Sequence, residues 1–509
     1  MAQEKSQLKI GIVLNYVNMI LGNLIPIFYT PIMLSLLGQS EYGLYKLASS
    51  VTSYLSLISM GLGSAITRYL IKSREEEGKE AEERMFGLFD VIFNGIAVAT
   101  LIVGTLLTID LPLWYAKSLT AAELSRMQLL VFMMVINMAL NFSQSPYLSV
   151  VNAHEKFVFL QCINIIQTCG VPCLNLVALF MGMGSIGMTI AAMGASILTR
   201  IAYQIYVRHK MQIKPRMKNL PTNKMKEILG FSFWIFVANV VGQLYNATDT
   251  VMIGMVPALA TTGVAVYNVG GTFNAIICNM TTALSASLTP SINRFVFKGA
   301  SDEELTKLAI KIGRIQCYIL SLIATGFIAF GRPFITFYAG ENYSEAYWVA
   351  VLMVIPNMIP VIQSVCLSVL IAQNKHRFRS IVYLIIAMIN VVGTWLALQS
   401  FGIIGAAFVT GATQIIGQVM LNWYYQRKSG LHIIKFWNEI VRLLVIPSVL
   451  AAITIYISRY INFNNLNNLV VGIFTYSLLF IGLNWLFIMN DYERHLVCSF
   501  FKLYKHNHK

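Results

Sequence analysis

The chain has 509 residues, of which 57% are hydrophobic and only 12% are charged. Soluble proteins carry about 25% charged residues, so this composition and a mean hydropathy of +0.66 exclude an ordinary soluble domain and favour a membrane protein. The net charge of +15 would suggest nucleic acid in a soluble chain, but here the positions of the basic residues matter more than their number.

Fourteen apolar stretches, numbered here spans 1 to 14, are long enough to cross a bilayer as helices, which takes about 20 residues. They are 11–37, 43–70, 85–109, 127–151, 157–181, 184–207, 228–255, 262–292, 307–331, 346–372, 379–400, 403–426, 439–459 and 468–489. Span 1 lacks a small-residue cleavage site and is predicted to be a retained helix. Nothing resembles the alternating strands of a barrel, so we predict an all-α integral membrane protein with about 14 transmembrane helices.

The basic residues are distributed asymmetrically between the gaps that separate these spans. If the N-terminus is cytoplasmic, all but five of the 37 Lys and Arg residues lie at the termini or near gaps on the cytoplasmic side. The five exceptions are Lys46, Lys117, Arg126, Arg332 and Arg459. One missed span would invert every later gap, so we predict an even number of spans with both termini cytoplasmic. This topology accounts for the basic charge without a nucleic-acid partner.

An internal repeat predicts two lobes. "LSVVNAHEKF" (148–157) closes span 4 and opens span 5, and "LSVLIAQNKHRF" (367–378) does the same for spans 10 and 11. Such a repeat is typical of transporters whose two halves are related by a pseudo-two-fold axis along the membrane normal. The predicted parts are an N-lobe of spans 1 to 6 (1–208), a basic cytoplasmic linker (209–227), a C-lobe of spans 7 to 12 (228–427), and spans 13 and 14 with a basic cytoplasmic tail (428–509).

Two stretches outside the spans are rich in charge. The linker carries seven basic residues between Arg208 and Lys226, and we expect it to lie on anionic lipid headgroups. The stretch "SREEEGKEAEER" (73–84) mixes both signs and is predicted to be a solvated loop.

Polar side chains form stripes on several spans. Span 1 carries Asn15 and Asn18 at helical spacing, and span 7 carries Asn239, Gln243 and Asn246. Polar stripes in lipid must turn towards other helices or towards water. Each residue could be interhelical hydrogen-bond glue or part of a wetted cavity that binds a polar substrate, and the sequence leaves both interpretations open.

Charged residues within the spans are few. Arg68 and Arg294 lie near the ends of spans 2 and 8, and Lys46 lies near the other end of span 2. These cations could reach the membrane surface as snorkelling side chains, or Arg could bind a diphosphate through its planar fork. Asp249 in "LYNATDTVMIGM" and Asp90 are buried carboxylates that could form structural ion pairs, cap an interrupted helix, or act as a protonatable or cation-binding switch.

Several motifs are absent. The chain has no phosphate-binding G-x-x-x-x-G-K-[ST] loop, no H-E-x-x-H motif and no nucleophile elbow. Its seven cysteines show no metal-ligand spacing. We therefore predict no catalytic residues, no metal, no cofactor and no enzymatic activity.

The chain resembles a known transporter family at several places. "LLGQSEYGLYKLASSVTSYLSLISMGLGSAITRYL" (36–70) is similar to the helix-two signature of polysaccharide flippases, and "DTVMIG" (249–254) followed by "GVAVYNV" (263–269) is similar to their helix-seven to helix-eight region. "NAHEKF" (152–157) and "AQNKHRF" (372–378) resemble their loops after helices four and ten. The family is the Wzx-like O-antigen and capsule branch of the multidrug/oligosaccharidyl-lipid/polysaccharide exporter superfamily.

This resemblance implies a flippase that moves a polyprenyl-diphosphate-linked oligosaccharide across the bacterial cytoplasmic membrane by alternating access through a cationic cavity. Asp249 matches the carboxylate of the family's helix-seven motif, and Arg68 and Arg294 match its common basic positions. The implied partners are the lipid-linked oligosaccharide, membrane lipids, a polysaccharide polymerase and chain-length machinery.

Two rival functions follow different patterns. An ion-coupled multidrug exporter of the same superfamily predicts twelve helices, whereas fourteen spans favour the lipid carrier. A polymerase, ligase or glycosyltransferase acting on lipid-linked sugars needs a substantial extracytoplasmic loop, and the predicted outer loops are too short for one.

Overall fold

The structure is a computed structural model that describes residues 2–373, 375, 377–495 and 498, with side chains outside 2–9, 234, 280–291, 293 and 377. Every regular element within these described ranges is a helix. The prediction of an all-α fold is therefore confirmed.

The first compact unit extends from Met1 to Asn268. Its α-helices, of which the last continues into the second unit, are α1 (Ala2–Leu37), α2 (Gln39–Ser53), α3 (Leu62–Glu77), α4 (Lys79–Tyr115), α5 (Ala121–Ala153), α6 (Phe157–Phe180), α7 (Gly184–Ile205), α8 (Met225–Asn246), α9 (Thr248–Met255) and α10 (Ala260–Phe297). The unit thus includes the linker and the seventh span. The division into two six-helix lobes stays a prediction.

The second compact unit extends from Val269 to Lys509. Its further α-helices are α11 (Asp302–Ala339), α12 (Ala346–Ile362), α13 (Ser364–Ala372), α14 (Arg377–Lys428), α15 (Ile433–Ile457) and α16 (Leu466–Phe487). Phe436 of α15 lies in one apolar core with residues of α11, α12 and α13. Tyr476 and Phe480 of α16 lie in another with Phe330 of α11, so the helices predicted as spans 13 and 14 are integrated into this unit.

Among the described residues, ten helices are long and apolar enough to cross a membrane, and the bent pair of α12 and α13 makes eleven. The predicted count is higher because span 2 is broken, spans 11 and 12 form one helix, and the side chains of much of span 8 lie outside the described residues. Span 2 is divided between α2, a 3-10 turn (Tyr54–Ser59) and α3. Spans 11 and 12 together form α14, which is kinked at Gly402, where φ is 59°. The observed helices are consistent with fourteen spans, but the exact number of membrane-spanning helices stays a prediction.

The stretch 73–84 is mostly helical rather than a solvated loop. Helix α3 continues to Glu77, the chain turns at Gly78 with φ of 83°, and α4 begins at Lys79. A positive φ favours glycine because it has no Cβ. The expectation of a long loop was wrong because charge pattern alone does not distinguish a solvated helix end from a loop.

The linker lies against these helix ends. Arg216 forms ion pairs with Glu80 at 3.3 Å and Glu83 at 3.0 Å, and its amide donates to the Glu83 carbonyl at 3.0 Å. A Cβ at Gly87 of α4 would stand 2.1 Å from the Arg216 carbonyl oxygen, so only glycine permits this approach. The linker is therefore docked on protein at Arg216, while most of its basic side chains stay exposed; contact with lipid headgroups stays a prediction. We call this side of the first unit the linker end.

Candidate functional site

Asp249 lies at a break in the seventh span. Helix α8 ends at Asn246 and α9 begins at Thr248, which places Asp249 in the first turn of α9. Its side chain is 2% exposed and accepts a hydrogen bond from the Tyr267 hydroxyl. The free N–H groups and the dipole of a helix N-terminus stabilise a carboxylate. The interrupted helix required by the capping interpretation is present, while a switching role for Asp249 stays a prediction.

Hydrogen bonds fasten α9 to its neighbours in the first unit. Thr248 bonds the Tyr54 hydroxyl at 2.5 Å, and the Val251 and Gly254 carbonyls accept from Tyr115 at 3.3 Å and Ser118 at 2.7 Å. Since lipid is as apolar as leucine, helices in a bilayer associate through such bonds and through close packing. Asp249 is therefore held in a rigid polar setting.

Two glycines allow α2 to pack closely against α9 and the start of α10. A Cβ at Gly43 of α2 would stand 1.8 Å from the Thr261 carbonyl oxygen of α10, and one at Gly254 of α9 would stand 2.6 Å from a Leu47 methyl group. Both distances are far below van der Waals contact. The seventh span and the start of α10 can thus approach α2 only because these two positions lack side chains.

The polar stripe on the seventh span is divided between two roles. Gln243 accepts from the Ser53 hydroxyl and donates to the Ser56 hydroxyl, each at 3.1 Å, as interhelical glue. Asn239 and Asn246 have exposed side chains, and Asn246 donates to the Gly242 carbonyl of its own helix at 2.9 Å. An exposed amide on a membrane-spanning helix is stable only where water or a polar ligand reaches it.

The stripe on α1 is divided in the same way. Asn18 accepts from the Thr168 hydroxyl of α6 at 2.8 Å, and Tyr29 accepts from Asn175 at 3.2 Å. Asn15 is exposed. Of the amides predicted to bind substrate in the first unit, Asn15, Asn239 and Asn246 are therefore the exposed ones.

The candidate cations have different surroundings. Arg68 of α3 is exposed and places its guanidinium 4.5 Å from the ring centre of Phe231. Lys46 is partly buried and lies 5.6 Å from the ring centre of Tyr42. Arg294 is exposed in the last turn of α10, in the second unit. Their role in binding diphosphate stays a prediction.

Asp90 of α4 is 8% exposed, and Arg208 and Arg200 attract its carboxylate. Arg208 also donates to the Tyr147 hydroxyl at 2.8 Å. Among the described residues neither arginine forms a direct ion pair with Asp90, so both the structural and the switching role of Asp90 stay predictions.

The sequence did not reveal a charged cluster at the end of the first unit opposite the linker. Glu41 of α2 accepts from the backbone and hydroxyl of Ser185 at the start of α7, both at 2.8 Å, and pairs with Arg126 at 3.1 Å. Glu123 accepts from Ser40 at 2.9 Å. A cavity of about 650 Å³ opens beside Ser40, Glu41, Glu123 and Arg126. Nothing local in the sequence signals the cluster, because its members come from three different helices.

In the second unit, Arg314 forms a buried ion pair. It is 8% exposed and binds Glu493, which follows α16, through Nε at 2.5 Å and through a terminal nitrogen at 2.9 Å. Burial raises the pKa of Glu493, but the hydrogen bonds from Arg314 and from the backbone of Asn490 outweigh it, so the pKa lies below the usual glutamate value. The sequence does not reveal this pair, because Glu493 is distant from Arg314 in the chain.

A second polar cluster in this unit carries no charge. Asn390 donates to Thr410 at 3.0 Å and to Thr413 at 3.2 Å, and Gln418 donates to Gln363 at the break between α12 and α13. All four of the residues Asn390, Thr413, Gln418 and Gln363 are almost fully buried. Single amides in long apolar stretches give no sequence signal of their partners.

Comparison with known proteins identifies the family. Residues 8–297, more than half of the chain, match the family described as "Polysaccharide biosynthesis protein". The "Probable low-salt glycan biosynthesis flippase Agl15" of Haloferax volcanii is 20% identical over 262 residues, which are 51% of this chain and 53% of that protein. This chain thus matches about half the length of that relative.

Solved structures show the fold. "Lipid II flippase MurJ, inward closed conformation" matches with a TM-score of 0.71 and 16% identity, over 93% of this chain and 98% of that one. The Vibrio cholerae MATE transporter VcmN in its bent form matches with a TM-score of 0.54 and 18% identity, over 86% and 100%. An inward-facing multidrug resistance MATE transporter matches with a TM-score of 0.62 and 14% identity, over 82% of this chain and 98% of that one. The fold is that of the MurJ and MATE transporters, the predicted superfamily is confirmed, and the chain belongs to the polysaccharide biosynthesis protein family.

Proposed function

We propose that the protein is a flippase that moves a polyprenyl-diphosphate-linked oligosaccharide from the inner to the outer leaflet of the bacterial cytoplasmic membrane, for the synthesis of a surface polysaccharide such as O-antigen or capsule. The observation that carries this proposal is the match of residues 8–297 to polysaccharide biosynthesis proteins. The names of Agl15, a glycan biosynthesis flippase, and MurJ, a lipid II flippase, point in the same direction.

The exposed amides supply the chemistry that a sugar needs in order to cross. A sugar hydroxyl that enters hydrocarbon loses its hydrogen bonds to water, which costs several kcal/mol unless another group replaces them. Asn15, Asn239 and Asn246 offer donors and acceptors on two spanning helices of the first unit. In this proposal they line the path of the sugar, while the polyprenyl tail stays in lipid.

The exposed arginines supply the counter-charge for the diphosphate. Arg68 and Arg294 each present a planar guanidinium that can bind two phosphate oxygens. By the positive-inside rule the linker end faces the cytoplasm, where the lipid-linked sugar is made. Arg68, at the linker end of α3, then meets the diphosphate first.

The second candidate function is an ion-coupled multidrug exporter. The likeness to MATE transporters over 82 to 86% of this chain favours it, and a buried carboxylate such as Asp249 suits cation coupling. MurJ covers more of the chain at a higher TM-score. The integration of α15 and α16 into the second unit also favours the lipid carrier.

A reconstitution experiment separates the two functions. The full chain is placed in vesicles with a fluorescent polyprenyl-diphosphate oligosaccharide, and an impermeant quencher measures how much of the lipid reaches the outer leaflet. Faster loss of fluorescence than in protein-free vesicles is expected. Loss of cationic dyes from loaded cells without any lipid movement in vesicles would instead support the exporter. A strain without the gene should also accumulate the lipid-linked oligosaccharide and lose its surface glycan.

A further inference from the structure

Two reciprocal ion pairs join α3 to the start of α8 at the linker end. Lys72 Nζ lies 3.1 Å from Glu227 Oε1, and Lys224 Nζ lies 2.6 Å from Glu77 Oε1. Each segment contributes one cation and one anion. The hydrogen bond from Lys224 lowers the pKa of the Glu77 carboxyl, and the bond to Glu227 raises the pKa of Lys72. Both shifts favour the charged form of the group concerned. We call these four residues the linker-end clasp.

Aromatic contacts continue the clasp one turn deeper. The Phe231 ring of α8 meets the Arg68 guanidinium at 4.5 Å and the Tyr69 ring edge-on at 6.4 Å. Ile228, on the turn between, is fully buried in the core of the first unit. The first two turns of α8 thus contact the last three turns of α3.

The rest of α8 is less buried and makes few side-chain hydrogen bonds to its neighbours among the described residues. Only 12% of its most apolar window is buried, the smallest share among the candidate spans that the structure describes. Beyond Phe231 the side chains of Phe233 and Asn239 are exposed, and side-chain hydrogen bonds to α2 and its following turn come from Gln243. Ser232, Ile235 and Phe236 also pack closely against Gly61, the residue before α3. The clasp is therefore the ionic part of what keeps the linker-end half of α8 against α3.

We propose that the linker-end clasp is a gate: it keeps α8 closed on α3, and its release lets α8 move away from α3 and opens a path from the linker end. The path leads to lipid-linked sugar only if the proposed function is correct, whereas the opening itself depends only on the clasp. Arg68 is tied to Phe231 while the gate is closed and becomes free to bind phosphate when it opens.

The exposure of the four side chains suits a gate that must open in every cycle. They are 38% and 53% exposed in one pair and 21% and 50% in the other. Exposed ion pairs shift an equilibrium only a few-fold each and are screened by salt. Two such pairs favour the closed state without locking it.

Cysteine accessibility tests the gate. Ile228→Cys places a thiol at the buried contact, in full-length protein whose seven native cysteines are replaced, and a membrane-impermeant maleimide measures its exposure in vesicles. Labelling is expected to be slow, to accelerate about two- to five-fold with Lys72→Glu, and to slow again in the charge-swapped Lys72→Glu/Glu227→Lys variant. High salt should accelerate labelling in the parent but less in the single variant. If Ile228→Cys disturbs folding, Met225→Cys, which is partly buried in the same core, replaces it.

The matched control is Lys226→Glu. Lys226 is exposed beside the clasp and forms no ion pair among the described side chains, so its reversal should leave labelling unchanged. Unchanged labelling in Lys72→Glu, acceleration that the swap does not reverse, or equal acceleration in Lys226→Glu would each overturn the gate. Labelling needs no substrate, so it tests the gate separately from the proposed function. If the variants change labelling as expected but the vesicles move no lipid, the flippase proposal is wrong and the gate is still supported.

Discussion

The ion pair between Arg314 and Glu493 carries the sharpest prediction about stability. The two side chains are 10% and 5% exposed and share two hydrogen bonds. They join α11 to the segment that follows α16. We expect Glu493→Gln, which keeps the shape of the side chain and removes its charge, to loosen this end of the second unit by leaving a buried guanidinium without its main counter-ion.

The size of the effect follows from burial. Removing one partner of a buried ion pair costs about 3–5 kcal/mol. Arg314 retains Glu439 at 3.5 Å, a carboxylate that is 39% exposed and compensates only in part. A loss of about 2–3 kcal/mol is therefore expected, which corresponds to a roughly 30- to 150-fold rise in local opening because each 1.4 kcal/mol is tenfold.

Hydrogen exchange measured by mass spectrometry reports this opening directly. Amides of 488–495 and of α15 should exchange faster in Glu493→Gln by the factor given above, while amides of α4 should not change. Arg442→Gln is the matched control, because Arg442 is 76% exposed and lies 3.8 Å from Glu439. Exchange within about three-fold of the parent in Glu493→Gln would refute the reasoning about the buried charge.

The pH dependence of the same segment has a defined sign. The pKa of Glu493 is lowered in the folded protein, so its contribution to stability is present above the usual glutamate value of about 4.3 and is lost as the pH falls through the lowered folded value. Exchange corrected for intrinsic rates should therefore stay constant from pH 7 to 5 and rise only in acid.

Three further changes test the first unit. Asp249→Asn should abolish most export of surface glycan while the protein stays in the membrane at parental levels, and a wild-type glycan in this variant would remove Asp249 from the mechanism. Gly43→Ala should lower the melting temperature of the detergent-solubilised protein, because overpacking costs about 1–3 kcal/mol or more, whereas Gly63→Ala, with no atom within 4 Å of its Cβ, should not. Phe231→Leu removes the ring beneath Arg68 and should raise proteolysis of the linker about two- to five-fold at equal membrane content; equal proteolysis would count against the contact.

Local patterns in the sequence predicted the elements of the fold. Each apolar stretch is long enough to satisfy its own backbone as a helix, and α6, α7 and α16 match spans 5, 6 and 14 to within two residues. The order of short motifs also identified the family. Asp249 was singled out for its position in an apolar stretch, and the structure places it at a helix break.

Partners distant in sequence were not predictable in this way. Nothing in the sequence indicated that Arg314 pairs with Glu493 or that the linker pairs with Glu77 and Glu83, because these acidic residues are distant from their partners in the chain. The sequence also could not show which amides of a polar stripe form hydrogen bonds between helices. Gln243 bonds to Ser53 and Ser56, whereas Asn239 and Asn246 on the same face form no hydrogen bond to another helix among the described residues.

Helix length, class and the excess of Lys and Arg on alternate gaps depend on each residue's own transfer between water and lipid, so the sequence by itself determined them. Three features depend instead on which helices pack side by side. They are the partner of each charged residue, the break between α8 and α9, and the position of the linker on α4. Within a bilayer that choice is made by close contacts at positions such as Gly43 and Gly87 and by polar bonds across helices. Only the tertiary structure decided it.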